Sequence, residues 1–358
     1  MTTPLAERLV RQIHATGPIT VADYMTACLM HPEHGYYTTR DPLGAAGDFV
    51  TAPEISQMFG ELVGLALAQA WLDRGAPEAV LVELGPGRGT LMADLLRATR
   101  GVPGFRDRVK VLLVEGSPRL RAAQAETLKD SPVEWVDTLS DLPPKPIFLV
   151  ANELFDALPV RQFLRDGDLW RERLVAVRGG ALAFGLSDPA PMADLAPRLD
   201  DTADGDMVET SGPARALAAE IGGHVADHGG TALIVDYGAE RSLGDTFQAL
   251  RAHRKVDPLA TPGQADLTAH VDFGALADAA PCAATAAVPQ GVWLERLGIT
   301  ARAQSLARGL TGEALDTHVA AHRRLTHPDE MGTLFKVMAL HDAAGPPPGL
   351  DPFVPDDA

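Results

Sequence analysis

The chain has 358 residues, enough to bury one large core or two smaller ones. Its 31 basic against 48 acidic residues leave a formal charge of −17, which excludes nonspecific nucleic-acid binding over the whole surface but not at a local basic patch. Cys28 and Cys282 stand far apart, so no disulfide framework is implied, and no run approaches the roughly 20 apolar residues of a membrane span. With no apolar signal core at the N-terminus, the expectation is a soluble, cytoplasmic protein with no nucleic-acid partner and no membrane insertion.

Leu5, Leu9 and Ile13 recur at helical spacing and the pattern stops at Gly17-Pro18; a second helix starts near Ile19 with Thr20 as its cap. Residues 31–56 (HPEHGYYTTRDPLGAAGDFVTAPEIS) are polar, glycine-rich and too long for an idle connection. His31, Glu33 and His34 are crowded on this loop without a further ligand, so a structural or substrate-contacting loop is favoured over a metal site, and no metal is expected. Within it, Gly35 to Ile55, with Tyr36, Tyr37 and Phe49, is read as a lid over a ligand site. Pro53-Glu54-Ile55 then opens one apolar helix running through GELVGLALAQAWLD.

Ala79–Leu84 is a short apolar run closed by glycines, the pattern of a buried parallel strand, and Glu83 is its single acid. Gly85, Gly87 and Gly89 alternate after it, with Pro86 stiffening the first turn, and Thr90 can cap the helix LMADLLRAT. Strand, glycine turn and helix form the ligand-binding unit of open α/β sheets. A phosphate-binding loop fails because no lysine precedes Thr90, and GxGxG is not the dinucleotide GxGxxG. The acid two residues before the first glycine favours an S-adenosyl-L-methionine (SAM) site, where a carboxylate faces the cationic methionine end.

Val109–Val114 is the second strand, and Glu115 at its end is suited to accept both ribose hydroxyls. Val133–Val136 ends at Asp137, a candidate for the adenine edge. Ile147–Ala151 is the fourth strand; Asn152, Glu153 and Asp156 follow it at the same end of the sheet as Glu83 and Glu115. Val160–Leu186 alternates in hairpin fashion, Asp188–Asp206 is an acidic loop, Pro213–His228 a helix and Thr231–Val235 the fifth strand, ending at Asp236-Tyr237-Gly238. Residues 240–272 carry few periodic signals. Ala283–Val288 reads as a sixth strand, helices follow from Trp293 to about Arg324, Leu334–Leu340 is the last strand, and the tail from Gly345 is expected to be disordered.

The motifs GDFVTAPEISQMFGELVG, LVELGPGRGTLMADLLR, NELFDALPV, IVDYG, ADLTAHVDF and EMGTLFKVMAL span Gly47 to Leu340 in order. Together they resemble the MidA-like methyltransferases, the bacterial and mitochondrial family of complex I assembly-factor protein arginine methyltransferases. The resemblance implies an α/β fold of the class I SAM-dependent type, a Rossmann-like doubly wound seven-stranded sheet with an N-terminal helical and loop segment and an inserted hairpin subdomain. The expected division is 1–60 (N-terminal helices and lid), 61–160 (first half of the core), 161–229 (hairpin insertion), 230–342 (second half) and 343–358 (disordered tail). It further implies a cofactor, SAM, with S-adenosylhomocysteine as product. The implied partner is a protein substrate, in the mitochondrial members the 49-kDa-type subunit of complex I, with symmetric arginine dimethylation.

An arginine nucleophile is a delocalised cation with a pKa above about 12, so carboxylates that grip the guanidinium are needed to present one nitrogen to the methyl group. Glu153, Asp156 and Glu54 are the candidates, with Glu153 first, and Asp48 and Tyr237 are further candidates for the pocket wall. Glu83, Gly85, Pro86, Gly87, Gly89, Glu115, Asp137 and Asn152 are the expected cofactor residues. Two other readings stay open at this point, an NAD(P)-binding oxidoreductase and a noncatalytic assembly chaperone that retains the fold. The oligomeric state is not legible.

Overall fold

The structure is a computed structural model, and it describes residues 3–39 and 50–351. The chain forms two compact units, each built from three separate segments: Met1–Phe49, Asp156–Ala214 and Arg241–Asp272 in the first, and Val50–Phe155, Arg215–Glu240 and Phe273–Ala358 in the second.

The second unit carries the parallel sheet. Its strands are β1 (Ala79–Leu84), β2 (Val109–Val114), β3 (Val133–Val136), β4 (Ile147–Asn152), β5 (Gly230–Ala239), β6 (Ala283–Ala284), β7 (Val288–Pro289) and β8 (Phe335–His341). The order across the sheet is β6-β8-β5-β4-β1-β2-β3, with β7 also on β8. From β5 through β3 neighbours run parallel, whereas β8 is antiparallel to β5, β6 and β7. The chain moves outward from β1 through β2 to β3 and then restarts on the other side of β1 with β4. That reversal between β1 and β4 is where open α/β sheets leave a crevice at their carboxyl ends. The doubly wound sheet expected from the apolar runs is therefore present.

The helices of this unit include α1 (Ala52–Ile55), α2 (Gln57–Asp73), α3 (Thr90–Ala98), α4 (Pro118–Thr127) and α5 (Gly212–His228). Helix α2 buries Met58, Phe59, Leu62, Val63, Leu67 and Trp71 in the main core together with Leu91 and Leu95 of α3. The two helices approach closely because Gly60 and Gly64 lack side chains: a Cβ on Gly64 would lie 2.8 Å from Leu95 Cγ. Buried Glu61 on α2 bridges Arg97 (3.1 Å) and Arg302 (2.8 Å). Burial raises its pKa, but the hydrogen bonds from Arg302 and Arg97 outweigh this and hold it below the usual carboxylate range.

The first unit combines the N-terminal helices Pro4–Thr16 and Val21–Met30 with an antiparallel sheet and a three-stranded sheet. In the antiparallel sheet, Leu169–Arg178 pairs with Ile19–Thr20, Arg161–Asp166 and Ala181–Leu186, and Arg161–Asp166 also pairs with Met207–Thr210. Thr20 caps its helix through a capping box with Asp23, as the sequence predicts. The apolar core of the unit joins Leu5, Leu9, Tyr24 and Met25 to Val160, Val175, Phe247 and Leu267.

Several expectations need correction. The helix expected to run unbroken from Pro53 is interrupted at Ser56, which is extended (φ −160°, ψ 137°) and caps α2 through Met58 N. The expected sixth strand is two short pieces on either side of Thr285, whose hydroxyl and N–H both bond to the backbone of Ala339. The stretch 240–272 holds the three-stranded sheet of Gln248–Arg251, Arg254–Val256 and Asp266–Thr268. The N-terminal helices belong to one unit with the hairpins and these strands instead of forming a separate segment, and α5, which the expected insertion included, lies in the core unit from Arg215 onward. The segment from Gly345 is packed through Asp351: Leu350 is buried, and the Trp293 indole N–H donates to Pro348 O at 3.1 Å. The central part of the expected lid, with Asp48 and Phe49, lies outside the described residues.

Candidate active site

The carboxyl ends of β1, β2 and β4 bring together most of the residues expected from the sequence. After β1 the backbone turns through three left-handed glycines, Gly85 (φ 67°), Gly87 (φ 55°) and Gly89 (φ 84°), conformations that cost other residues strain. The Gly89 N–H closes the turn on Pro86 O at 2.8 Å. A Cβ on Gly85 would meet Leu154 Cδ1 at 2.8 Å, so the turn fits only a bare backbone there. Thr90 is the first residue of α3 rather than its cap, and its hydroxyl donates to Glu54 Oε1 at 2.7 Å.

Glu83 is 3% exposed, and burial pushes its carboxyl up to about 8, opposed by the backbone N–H of Met92 in the first turn of α3. Its Oε2 has no hydrogen-bond partner among the described residues, and neither has the buried Oδ1 of Asn152 at the end of neighbouring β4. Two buried acceptors without partners are costly unless a donor-rich or cationic group meets them. A ligand with an ammonium or sulfonium charge fits that need.

Glu115 is half-buried at the end of β2. Its carboxylate accepts from Ser117 N (2.8 Å) and Gln124 Nε2 (3.2 Å). Burial raises its pKa, and the Ser117 N–H works in the opposite direction. Gln124 is a residue that sequence reasoning missed. It is fully buried on α4, its amide also donates to Gly87 O at 2.9 Å, and its Oε1 accepts from Trp135 Nε1. It therefore ties the glycine turn to Glu115. Its only sequence signal was a polar residue on a helix face turned towards the sheet. Asp137, expected at the adenine edge, forms an ion pair with Arg121 (2.5 Å), and Arg121 also donates to Glu115 O.

At the end of β4, Glu153 is one of four non-glycine residues described with positive φ (51°). Its N–H extends the ladder to Val235 O (2.8 Å), and its Oε1 accepts from Ala52 N at 2.9 Å and from Asn152 Nδ2 at 3.2 Å. Helix α1 is thus held by two cleft side chains: Glu153 at its first N–H and Thr90 through Glu54. Tyr237 is buried edge-on against Phe335, ring centroids 5.3 Å apart. Asp156 opens the second segment of the first unit and is described with that unit. Its carbonyl accepts from Ala269 N, and its charge contributes, after burial and Asp266, to a raised Tyr37 pKa. Tyr37 donates to Asp266 Oδ1 at 2.8 Å. In the loop at residues 31–34, the His31 and His34 rings stack at 5.0 Å and His31 Nδ1 accepts from Glu33 N, a local turn. A cavity of about 790 Å³ opens at the amino ends of β1, β2 and β3, by Leu81, Phe105, Lys110 and Lys145, and none of the expected site residues lines it.

A doubly wound sheet with its last strand antiparallel, a glycine turn after β1 and an acid after β2 define a class I methyltransferase. The profile of a family of SAM-dependent methyltransferases matches residues 62–290. The chain is 36% identical to the mitochondrial protein arginine methyltransferase NDUFAF7 of Danio rerio, over 95% of this chain and 87% of that protein. It is also 36% identical to the Homo sapiens protein of the same name, over 94% of this chain and 83% of that one. The crystal structure of a Burkholderia thailandensis protein bound to S-adenosyl-homocysteine superposes with a TM-score of 0.81, 30% identity, and coverage of 96% of this chain and 93% of that one. The chain belongs to this family of SAM-dependent methyltransferases, and its cofactor is SAM. The oxidoreductase reading is thereby replaced. The cytoplasmic location expected from composition is also overturned, because the curated relatives are mitochondrial proteins. Composition and cysteine count describe solubility and redox state, and they do not separate one reducing compartment from another.

Proposed function

We propose that the chain methylates arginine on a protein substrate, and that the substrate is a subunit of respiratory complex I, the 49-kDa-type subunit, with symmetric dimethylation. The support is the name of the curated relatives, protein arginine methyltransferases, together with the Glu153 carboxylate held in a strained turn at the end of β4. Bound SAM supplies a methyl carbon on a positively charged sulfur. In this reading Glu83 and Asn152 take the cationic methionine end, the Gly85–Gly89 turn accepts the cofactor against bare backbone, and Glu115, braced by Gln124, takes the ribose hydroxyls. Asp137 keeps the neighbouring strand end in place through Arg121. Glu153 grips the acceptor guanidinium, and Glu54 keeps α1 in register through Thr90.

The displacement is in line: a nitrogen–carbon bond forms as the carbon–sulfur bond breaks, and the acceptor nitrogen then loses a proton to water. Catalysis is mostly the positioning of nucleophile against methyl carbon. Glu153 localises the guanidinium charge on two of its nitrogens, leaving the third as nucleophile.

The observation that carries this reading is the pair of buried acceptors without a partner among the described residues, Glu83 Oε2 and Asn152 Oδ1, on adjacent strand ends beside Glu153. The test is calorimetry with SAM, S-adenosylhomocysteine and NAD(P), followed by mass spectrometry of the complex I subunit with and without the protein. Binding of SAM with a new dimethylarginine is expected. SAM binding without any methylated arginine would leave a noncatalytic assembly factor. Glu153→Gln keeps shape but removes the charge: SAM affinity is expected to stay within about threefold while methyl transfer falls at least about tenfold. Wild-type transfer by that variant would remove Glu153 from the acceptor site.

A further inference from the structure

Asp236, near the end of β5, is completely buried, and both its carboxylate oxygens accept backbone N–H groups. Oδ2 accepts from two consecutive residues of the turn after β4, Leu154 (3.1 Å) and Phe155 (2.9 Å), and Oδ1 from Tyr237 N (2.9 Å). The β4–β5 ladder runs regularly up to Glu153, whose N–H still reaches Val235 O. One residue later the backbone leaves the ladder, and Asp236 receives the two N–H groups that the ladder no longer serves. Such groups are orphans in a buried site unless a side chain accepts them, and an ionised carboxylate is the strongest acceptor available.

The turn held in this way matters on both sides. Glu153 adopts its positive φ immediately before the first tethered N–H, so the tether fixes the direction in which its side chain leaves the backbone. Leu154, the first tethered residue, puts its Cδ1 2.8 Å from where a Cβ on Gly85 would be. Moving the turn therefore moves Glu153 and the wall of the glycine turn together.

We infer that Asp236 is a positioning residue for the acceptor side of the methyl-transfer site, holding the turn that aims Glu153. The inference rests on the reading of Glu153 as the guanidinium grip. A carboxylate serves here because three donors converge on two oxygens; the amide of Asn would turn an NH₂ group onto at least one of those N–H groups.

The experiment is a double-mutant cycle of Asp236→Asn and Glu153→Gln on the full chain, reading SAM affinity by calorimetry and methyl transfer to the 49-kDa-type complex I subunit with labelled SAM. Asp236→Asn is expected to lower kcat at least about tenfold with SAM affinity within about threefold, and to add less than about twofold in the Glu153→Gln background. Thr231→Val, on the same strand, where the Thr231 hydroxyl donates to Leu340 O, is expected to lower stability and leave kcat unchanged. Independently of the acceptor, hydrogen exchange of the Leu154 and Phe155 amides is expected to quicken in Asp236→Asn. Wild-type kcat in Asp236→Asn, unchanged exchange, or losses that multiply fully in the double variant would each overturn the assignment. A wild-type rate in Glu153→Gln would instead sink the acceptor reading beneath it. Should Asp236→Asn not fold, Asp236→Glu, which shifts both oxygens by one methylene, is read in the same way. Failure of both to fold would make Asp236 a requirement of the fold and end the positioning claim.

Discussion

If Glu83 faces the cationic end of SAM, as proposed, cofactor binding should release a proton. Without ligand, burial disfavours the charge on Glu83 and pushes its carboxyl up to about 8. At pH 7 such a group is about nine-tenths protonated. A cation arriving beside it reverses the preference, so about 0.9 proton should leave for each SAM bound at pH 7, falling to about half at pH 8. Below about pH 7, affinity should therefore rise by up to about tenfold for each pH unit and level off above 8. Calorimetry at pH 7 in two buffers of very different ionisation enthalpy reads the proton count directly. Glu83→Gln cannot release a proton, so the difference between the two proteins isolates this carboxyl from the cofactor's own amine. The same group affects the ligand-free fold. Its folded pKa lies above the unfolded value of 4.5, so its contribution is fully present below about pH 4.5 and is lost as pH rises through about 8. At 1.36 kcal/mol per pH unit, 3.5 units make the loss at most about 5 kcal/mol, so Glu83→Gln should be less sensitive than the wild type to a rise in pH from about 4.5 to 8. Identical binding enthalpies in both buffers, with a flat affinity between pH 6 and 9, would refute the reasoning.

Three further outcomes follow from the same geometry. Glu115→Ala should weaken SAM by about 1.5–3 kcal/mol, the range for a hydrogen bond to a charged group, with the fold retained; unchanged affinity in a folded variant would remove Glu115 from the site. Gly87→Val should be harsher, because a β-branched residue is strained at φ 55° and crowds the turn; calorimetry should find no SAM binding, and near-normal affinity would count against a backbone approach there. Glu61→Ala removes the acid shared by Arg97 and Arg302, which are both partly exposed, Arg97 keeping Asp94; it should cost about 1–3 kcal/mol, read as a drop in Tm, while SAM affinity in the folded protein stays within about threefold.

Much of the core unit is legible because its signals are local. Short apolar runs such as Val80–Val82 and Phe148–Ala151, closed by glycine or polar residues, read as buried strands, and the polar residues that follow gather at one end of a parallel sheet. What escapes is set by tertiary contacts. Nothing in the apolar pattern from Ala52 onward announces the break at Ser56, or that Glu153, about a hundred residues away, accepts Ala52 N at the start of the short helix before it. Strands 248–251 and 254–256 are short and polar and turn through Ala252 and His253 at positive φ, without the Asn-Gly signal of such hairpins. Asp236 and Gln124 look ordinary in the sequence. Their importance lies in the distant N–H and carbonyl groups they collect, and only burial with three bonds each reveals it.

The first unit draws its core from both ends of a long detour. Leu5, Leu9, Tyr24 and Met25 pack with Val160 and Val175, and also with Phe247, Ala249 and Leu267. On a ribosome adding roughly 5–20 residues each second, the stretch from Phe49 to Asp272 takes on the order of 10–45 s to emerge. Throughout that interval the apolar faces of the two leading helices lack their final neighbours. Nascent chains of this protein should accordingly need shielding by a chaperone, and truncation shortly before residue 248 should leave the N-terminal helices open to protease while the sheet strands already made have begun to pair.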